Sequence, residues 1–222
     1  MNFTRQQGII DPEVMKGREI TLIGVGAVGS FAALALGKMG ISKITAYDED
    51  GVTDTNLPNQ FYRNTDTKRF KVEALAEILE MFTDARCEPI NRFYKNQELA
   101  ETAVVATDNM TSRKIVWEQF KKSKTSKFLI EARMGAELGI VYTMNKNSKN
   151  KKLDFDFYET RLYSSKKAVE LPCTAKSIIY NVLMISSLIC RSYKGLVTQT
   201  PVPKELIFNM TSLDERTYMY TV

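Results

Sequence analysis

With 222 residues, 44% of them hydrophobic and 26% charged, the chain is long enough for one substantial α/β domain and too short for two full-sized catalytic ones. It carries a net charge of +5 and no histidine, so the side chain that titrates near neutral pH and the commonest nitrogen ligand of metals is missing. No histidine-based triad, dehydrogenase base or zinc hydrolase can be assembled, and Cys87, Cys173 and Cys190, far apart and without a Cys-x-x-Cys pair, make neither a disulfide framework nor a four-cysteine zinc site.

The N-terminal decapeptide contains Arg5 but no apolar stretch and no small-residue cleavage site. The most apolar run, 178–190, is interrupted by Tyr180, Asn181, Ser186 and Ser187 and is too short to span a bilayer. A cytoplasmic protein without a membrane helix is expected. The first strand is predicted at 19–23 (EITLI), followed at once by Gly24-Val25-Gly26-Ala27-Val28-Gly29 and a helix over 30–39 closed by Gly40. A second strand at 43–47 ends in Asp48-Glu49-Asp50-Gly51, which completes a βαβ unit.

After an Asn- and Thr-rich connection, apolar residues at 72, 75, 78, 79 and 82 predict a helix over 69–82 with one buried stripe. Runs at 103–106 and 127–132 predict buried parallel strands around a helical pattern through Ile115, Val116 and Phe120. The expected fold is α/β: a Rossmann-like, doubly wound, mostly parallel sheet in a single domain over 1–222. Residues 138–144 predict a further strand, 146–152 a surface loop, and 175–193 a long helix with Thr174 as its N-cap. Lysines gather at 121, 122, 124 and 127 and again at 146, 149, 151 and 152, either as solvated loops and helix ends or as a patch for an acidic protein or RNA.

The three glycines at 24, 26 and 29 stand between a strand and a helix, where they permit a tight turn, backbone approach to phosphates and close helix–strand contact. Asp48, 24 residues after Gly24 at the end of the second strand, is placed to accept both ribose hydroxyls. A nucleotide with a free 2′-OH is the expected ligand. These features alone fit NAD, FAD and ATP equally.

Further along stand Asn56-Leu57-Pro58-Asn59-Gln60, Lys71 in RFKVEAL, and Ala106-Thr107-Asp108-Asn109. Together with RQQGII and GVGAVGS they resemble, in order and over about 3–144, the E1-like superfamily that includes ThiF, MoeB and the adenylation halves of ubiquitin-activating enzymes. The resemblance implies ATP and Mg²⁺, and transfer of AMP to the C-terminal carboxylate of a small ubiquitin-like or sulfur-carrier protein. It implies Asp108 on Mg²⁺, Lys71 and Asn56 on the phosphates, and Asp48 on the ribose. It also places Arg5 on the γ-phosphate of a neighbouring subunit's ATP, hence a homodimer. Asn59 stands where the family usually has an arginine that meets the triphosphate, and Arg63 is a candidate substitute. The zinc-binding cysteine pairs of ThiF and MoeB are absent, so no zinc is expected.

A terminal carboxylate has a pKa of about 3.3–3.7 and is ionised at pH 7, so its attack on the α-phosphorus needs no general base. A histidine-free chain meets that requirement. Cys173, in Leu171-Pro172-Cys173-Thr174, is a candidate acyl acceptor in a part of the chain where many E1-like enzymes carry a reactive cysteine, or else an inert buried thiol. The alternatives are an E1-like tRNA-modifying enzyme of the threonylcarbamoyladenosine dehydratase type, a non-catalytic half of a heterodimeric activating enzyme and, last, an NAD-dependent oxidoreductase.

Overall fold

The computed structural model describes residues 1–163 and 177–211. A short helix α1 (Pro12–Met15) leads into β1 (Glu19–Ile23), α2 (Ala27–Met39) and β2 (Lys43–Asp48). Then come α3 (Lys71–Phe82), β3 (Arg86–Asn91), β4 (Thr102–Val105), α4 (Met110–Lys122), β5 (Phe128–Gly135) and β6 (Leu138–Asn145). The described chain closes with α5 (Lys151–Thr160), α6 (Ile179–Val197) and β7 (Glu205–Asn209).

Among the described residues one sheet runs in the order β3-β2-β1-β4-β5-β6-β7. The first five strands in that order are parallel, and β6 turns back antiparallel on both β5 and β7. Four of the five residues of β1 and all of β4 are buried, as strands covered on both faces require. On one face α2, α3 and α6 pack around Leu22, Ile44, Val104, Leu36, Leu75 and Ile189. On the other, α4 and α5 enclose an aromatic cluster in which the Trp117 ring lies 4.6 Å from Tyr158 and 4.8 Å from Phe155.

The expected α/β architecture is the one found, with boundary differences that have physical causes. Helix α2 starts at Ala27, not at residue 30, because the last glycine of the loop already lies in the first turn; it ends as expected at Gly40, whose φ of 105° only glycine adopts freely. The 146–152 segment is loop only as far as Asn150, and α5 was not signalled by the sequence. Helix α6 begins at Ile179, four residues later than expected, and extends to Val197. Ile178 is extended, and Ser177 bridges Ala136 beside it. Thr174, its expected cap, lies outside the described residues.

Strand β1 pairs with β2 on one side and β4 on the other, so the chain leaves it in opposite directions. In open α/β sheets that switch point, at the carboxyl ends of the strands, is where ligands bind.

Candidate nucleotide-binding site

The three loop glycines serve three different purposes. Gly24, at φ 88°, abuts the end of β4: a Cβ there would lie 2.7 Å from the Ala106 oxygen. A Cβ at Gly29 would collide with the Gly24 carbonyl, so this glycine lets α2 close onto its own loop. Gly26 has no comparable internal reason to lack a side chain, since a Cβ there would meet only Gln60 Nε2, at 3.9 Å. It is also the N-cap of α2, and no side chain caps that helix. The first-turn N–H groups are thus left for an anion that approaches over Gly26.

Asp48 ends β2 half-buried, with Oδ2 accepting from Val25 N at 2.8 Å and Oδ1 from Asp50 N at 2.9 Å. Burial raises its pKa above the ordinary value, against the pull of the Lys71 charge and the two N–H donors. Two carboxylate oxygens offer about four acceptor positions, so capacity remains for a diol. Lys71 opens α3. It is only 6% exposed, and its ammonium pairs with Asp50 at 2.7 Å, so it is a placed charge rather than a solvated one.

The 56–62 segment is tied over the glycine loop. Phe61 N donates to Ser30 Oγ at 2.9 Å, Tyr62 Oη donates to Val25 O at 2.5 Å, and Gln60 lies beside Gly26. Asn56 organises that segment: its Oδ1 accepts from Thr53 N at 3.2 Å, and its carbonyl accepts from Asn59 N and Gln60 N. Asn59 Nδ2 donates to Ser177 Oγ. Arg63 does not stand in for the charge missing at position 59, because its guanidinium is engaged by Asp66 at 2.6 Å and Glu77 at 2.8 Å.

On the far side of Gly24, Asp108 and Asn109 divide two tasks. Asn109 caps α4, accepting from Ser112 N and Ser112 Oγ at 2.9 Å each, whereas Asp108 is exposed and takes no part in the cap. Gln60 Oε1 and Thr107 Oγ1, on either side of the loop, are buried without a hydrogen-bond partner. Orphaned groups of this kind call for a ligand or an ordered water.

Arg5 is not brought to this site within one chain. Its 3₁₀ turn (Thr4–Gln6) is anchored at the opposite end of α2 by Gln6 Nε2 donating to Met39 O at 3.0 Å and by Phe3 against Gly40. Thirteen helical residues, about 20 Å, lie between that anchor and the glycine loop. Cys173 lies outside the described residues. Burial pushes the Cys87 and Cys190 thiols up to about 12, away from the thiolate that a nucleophile needs.

Ser30, Tyr62 and Arg113 were missed by sequence reasoning. A signal existed only for Arg113, which follows Asn109 by one helical turn on the buried stripe of Met110, Val116, Trp117 and Phe120.

The donor set fits a nucleoside triphosphate with Mg²⁺, which binds through one or two carboxylates, phosphate oxygens and water. No group of three or more metal-binding side chains occurs among the described residues, and none is needed for a metal held in that way. No helix among them is long and apolar enough to cross a membrane.

A family model for the ThiF family matches residues 11–218. The chain is 32% identical over 87 residues to the tRNA threonylcarbamoyladenosine dehydratase of Bacillus subtilis, covering 38% of this chain and 34% of that protein. It is 33% identical over 92 residues to the ubiquitin-like modifier-activating enzyme 5 of Drosophila virilis, covering 41% and 23%. These alignments thus span about a third or less of the relatives' own length. Among solved structures, Escherichia coli MccB superposes with a TM-score of 0.71 at 14% identity over 90% of this chain and 63% of that one. The Escherichia coli dehydratase TcdA superposes with a TM-score of 0.63 at 17% identity over 89% and 94%. At such identities the superpositions speak for the fold.

Proposed function

The chain belongs to the ThiF family, and from that premise we propose that residues 1–222 form one E1-like adenylation domain that uses ATP to activate a carboxylate. The preferred substrate is the C-terminus of a small ubiquitin-like or sulfur-carrier protein. The observation that carries this reading is the uncapped N-terminus of α2 flanked by buried Lys71 on one side and by Asp108, free of helix capping, on the other. A dinucleotide site needs neither the lysine nor the free carboxylate.

In the proposed reaction a carboxylate oxygen bonds to the α-phosphorus as the bond from that phosphorus to the bridging oxygen breaks, and pyrophosphate leaves. Asp48 orients the ribose, the α2 N–H groups hold phosphate oxygens, and Lys71 offsets negative charge as it moves toward the leaving group. Asp108 would hold Mg²⁺, which would supply further neutralisation of the charge on the pyrophosphate. ATP–pyrophosphate exchange driven by a candidate small protein tests the reading. Tight NAD binding with no ATP binding in calorimetry overturns it.

A second reading, activation of a carboxylate on tRNA, is favoured by the likeness to the Bacillus subtilis dehydratase and by a surface cleft lined by Lys95, Lys114 and Lys122. Tight tRNA binding that weakens steeply with salt distinguishes it.

A further inference from the structure

Beside the nucleotide site lies a buried ionic cluster that the adenylation chemistry above does not use. Glu131 on β5 is fully buried and accepts from Arg133 Nε and Tyr158 Oη, with Arg113 Nε at 3.2 Å. Arg113 and Arg133 are each only 8% exposed. Arg161 pairs separately with Glu205 at 3.2 Å, so among the described residues two guanidiniums share the single carboxylate of Glu131 and one positive charge is left over. Buried excess charge is costly unless an anion meets it. Burial lowers the Arg113 pKa even with Glu131 alongside.

The unmatched donors are specific. Arg133 uses Nε on Glu131 and Nη1 on the Arg161 carbonyl at 2.9 Å, while its Nη2 is buried without a partner. Its Cζ lies over the Tyr142 ring, 4.6 Å from the centroid. Arg113 Nη2 donates to Thr107 O at 2.6 Å, while Arg113 Nε, for all its nearness to Glu131, makes no hydrogen bond.

Position links the cluster to the site. Glu131 pairs in register with Val105, the last residue of β4, and Arg133 lies two residues further along β5. Thr107, bonded to Arg113, immediately precedes Asp108 and lies against Gly24 on its other side. The excess positive charge is therefore at the same strand ends as the nucleotide loop, on the side toward β5 and away from Asp48 and β2.

We propose that Arg113 and Arg133 form a carboxylate subsite that receives the acyl substrate next to the nucleotide. The proposal rests on the adenylation reading and names where its second substrate binds. A guanidinium edge with a free N–H suits a planar carboxylate, and in the absence of nucleotide the bound carboxylate neutralises the charge that Glu131 leaves over.

The test uses the nucleotide-free protein and N-acetylglycine as a minimal peptide carboxylate, with N-acetylglycinamide and inorganic pyrophosphate as comparators. Arginine-selective ¹⁵N spectra follow the Nε–H signals, assigned by their loss in Arg133→Lys and Arg113→Lys. The expected result is movement of the Arg133 and Arg113 signals by N-acetylglycine and not by its amide, with Arg133→Lys weakening that binding about tenfold, the loss of one charge-assisted hydrogen bond. ATP affinity of the same variant should be unchanged. Should the lysine variants fail to fold, the double variant Glu131→Gln/Arg133→Gln, which removes both partners of one pair, supplies the assignment and the same comparison. No movement with N-acetylglycine at concentrations of about 10 mM, above a millimolar Kd, overturns the proposal. So does a response to pyrophosphate alone, which would give the arginines to the nucleotide's phosphates. A protein that shows the carboxylate response but binds no ATP keeps the subsite and loses the adenylation reading, whereas ATP binding without the carboxylate response does the reverse.

Discussion

The Asp48 carboxylate accepts the backbone N–H of Val25 at 2.8 Å, so the residue that ends β2 holds the middle of the glycine loop that follows β1. A ribose bound to Asp48 would therefore be measured from the same atoms that place the phosphates. Asp48→Ala is expected to weaken ATP binding about tenfold to a hundredfold, the range for lost hydrogen bonds to a charged group. The wild-type protein should prefer ATP to 2′-deoxy-ATP in calorimetry, and the variant should not. Equal discrimination in both proteins would remove Asp48 from ribose recognition.

The loop glycines separate folding from binding. Gly29→Ala places a methyl group against the Gly24 carbonyl, and Gly24→Ala forces a side chain onto φ 88° while crowding Ala106, so both should lower the melting temperature or prevent folding. Gly26→Ala meets nothing but Gln60 at 3.9 Å and should melt like the wild type while losing ATP. A Gly26→Ala protein that binds ATP normally would show that the nucleotide does not approach over this residue.

Those glycines and Asp48 were legible because one strand–loop–helix unit brings them together over a short stretch of chain. Lys71 was legible as a residue but not as a buried one: the helix stripe marks 72, 75, 78 and 79, and the lysine, outside that stripe, is nonetheless buried with its ammonium on the exposed Asp50. Likewise Asp108-Asn109 read as either cap or metal ligand, and the structure assigns the cap to Asn109. Of the Arg113–Glu131–Arg133 cluster only Arg113 left a sign, its place on the buried stripe of α4. Glu131 and Arg133 were illegible, since charged residues in a strand ordinarily face water and their meeting with Arg113 depends on β4 and β5 packing under α4. The start of α6 was misread because its apolar residues continue a helical pattern that a bridge from Ser177 to Ala136 interrupts.

The division between Asp108 and Asn109 predicts opposite phenotypes for neighbouring substitutions. Asn109→Ala removes the cap of α4 and should cost about 1 kcal/mol, or about 2–4 °C in melting temperature for a domain of this size. Asp108→Ala should melt normally and lose metal-dependent pyrophosphate exchange. An Asp108→Ala protein with normal exchange would rule out the metal assignment.

The connection between the 56–62 segment and α3 should be acid-sensitive. Arg69 and Arg63 hold Glu77 down to about 2 from an ordinary 4.5. Burial works to raise Asp66, yet hydrogen bonds from Arg63 and the nearby Arg69 charge leave its pKa below the ordinary value. Folded-state pKa values below the unfolded ones mean that this stabilisation is present above the ordinary carboxylate range and is lost as pH falls through the folded values. Melting temperature should therefore drop between pH 4.5 and about 2, more steeply in the wild type than in Glu77→Gln. Parallel curves for the two proteins would mean that the cluster adds nothing to stability.

Arg5 supplies the last prediction, because geometry makes its two readings exclusive. The N-terminal turn is fastened at the C-terminal end of α2 through Gln6 and Met39, and the glycine loop lies at the N-terminal end, about 20 Å of helix away. An arginine side chain is far too short to cross that distance, so an Arg5 that touches the triphosphate must come from a second copy of the chain. Arg5→Ala and Asp108→Ala homodimers should each fail in pyrophosphate exchange. Mixing the two variants in equal amounts should restore about a quarter of the activity, because random pairing makes half of the dimers mixed and one of the two sites in each is then whole. Differently tagged chains purified together establish that mixed dimers have formed. Mixed dimers without exchange, or an Arg5→Ala protein as active as the wild type, would leave Arg5 a surface residue of the N-terminal turn and take away the reason for expecting a shared site.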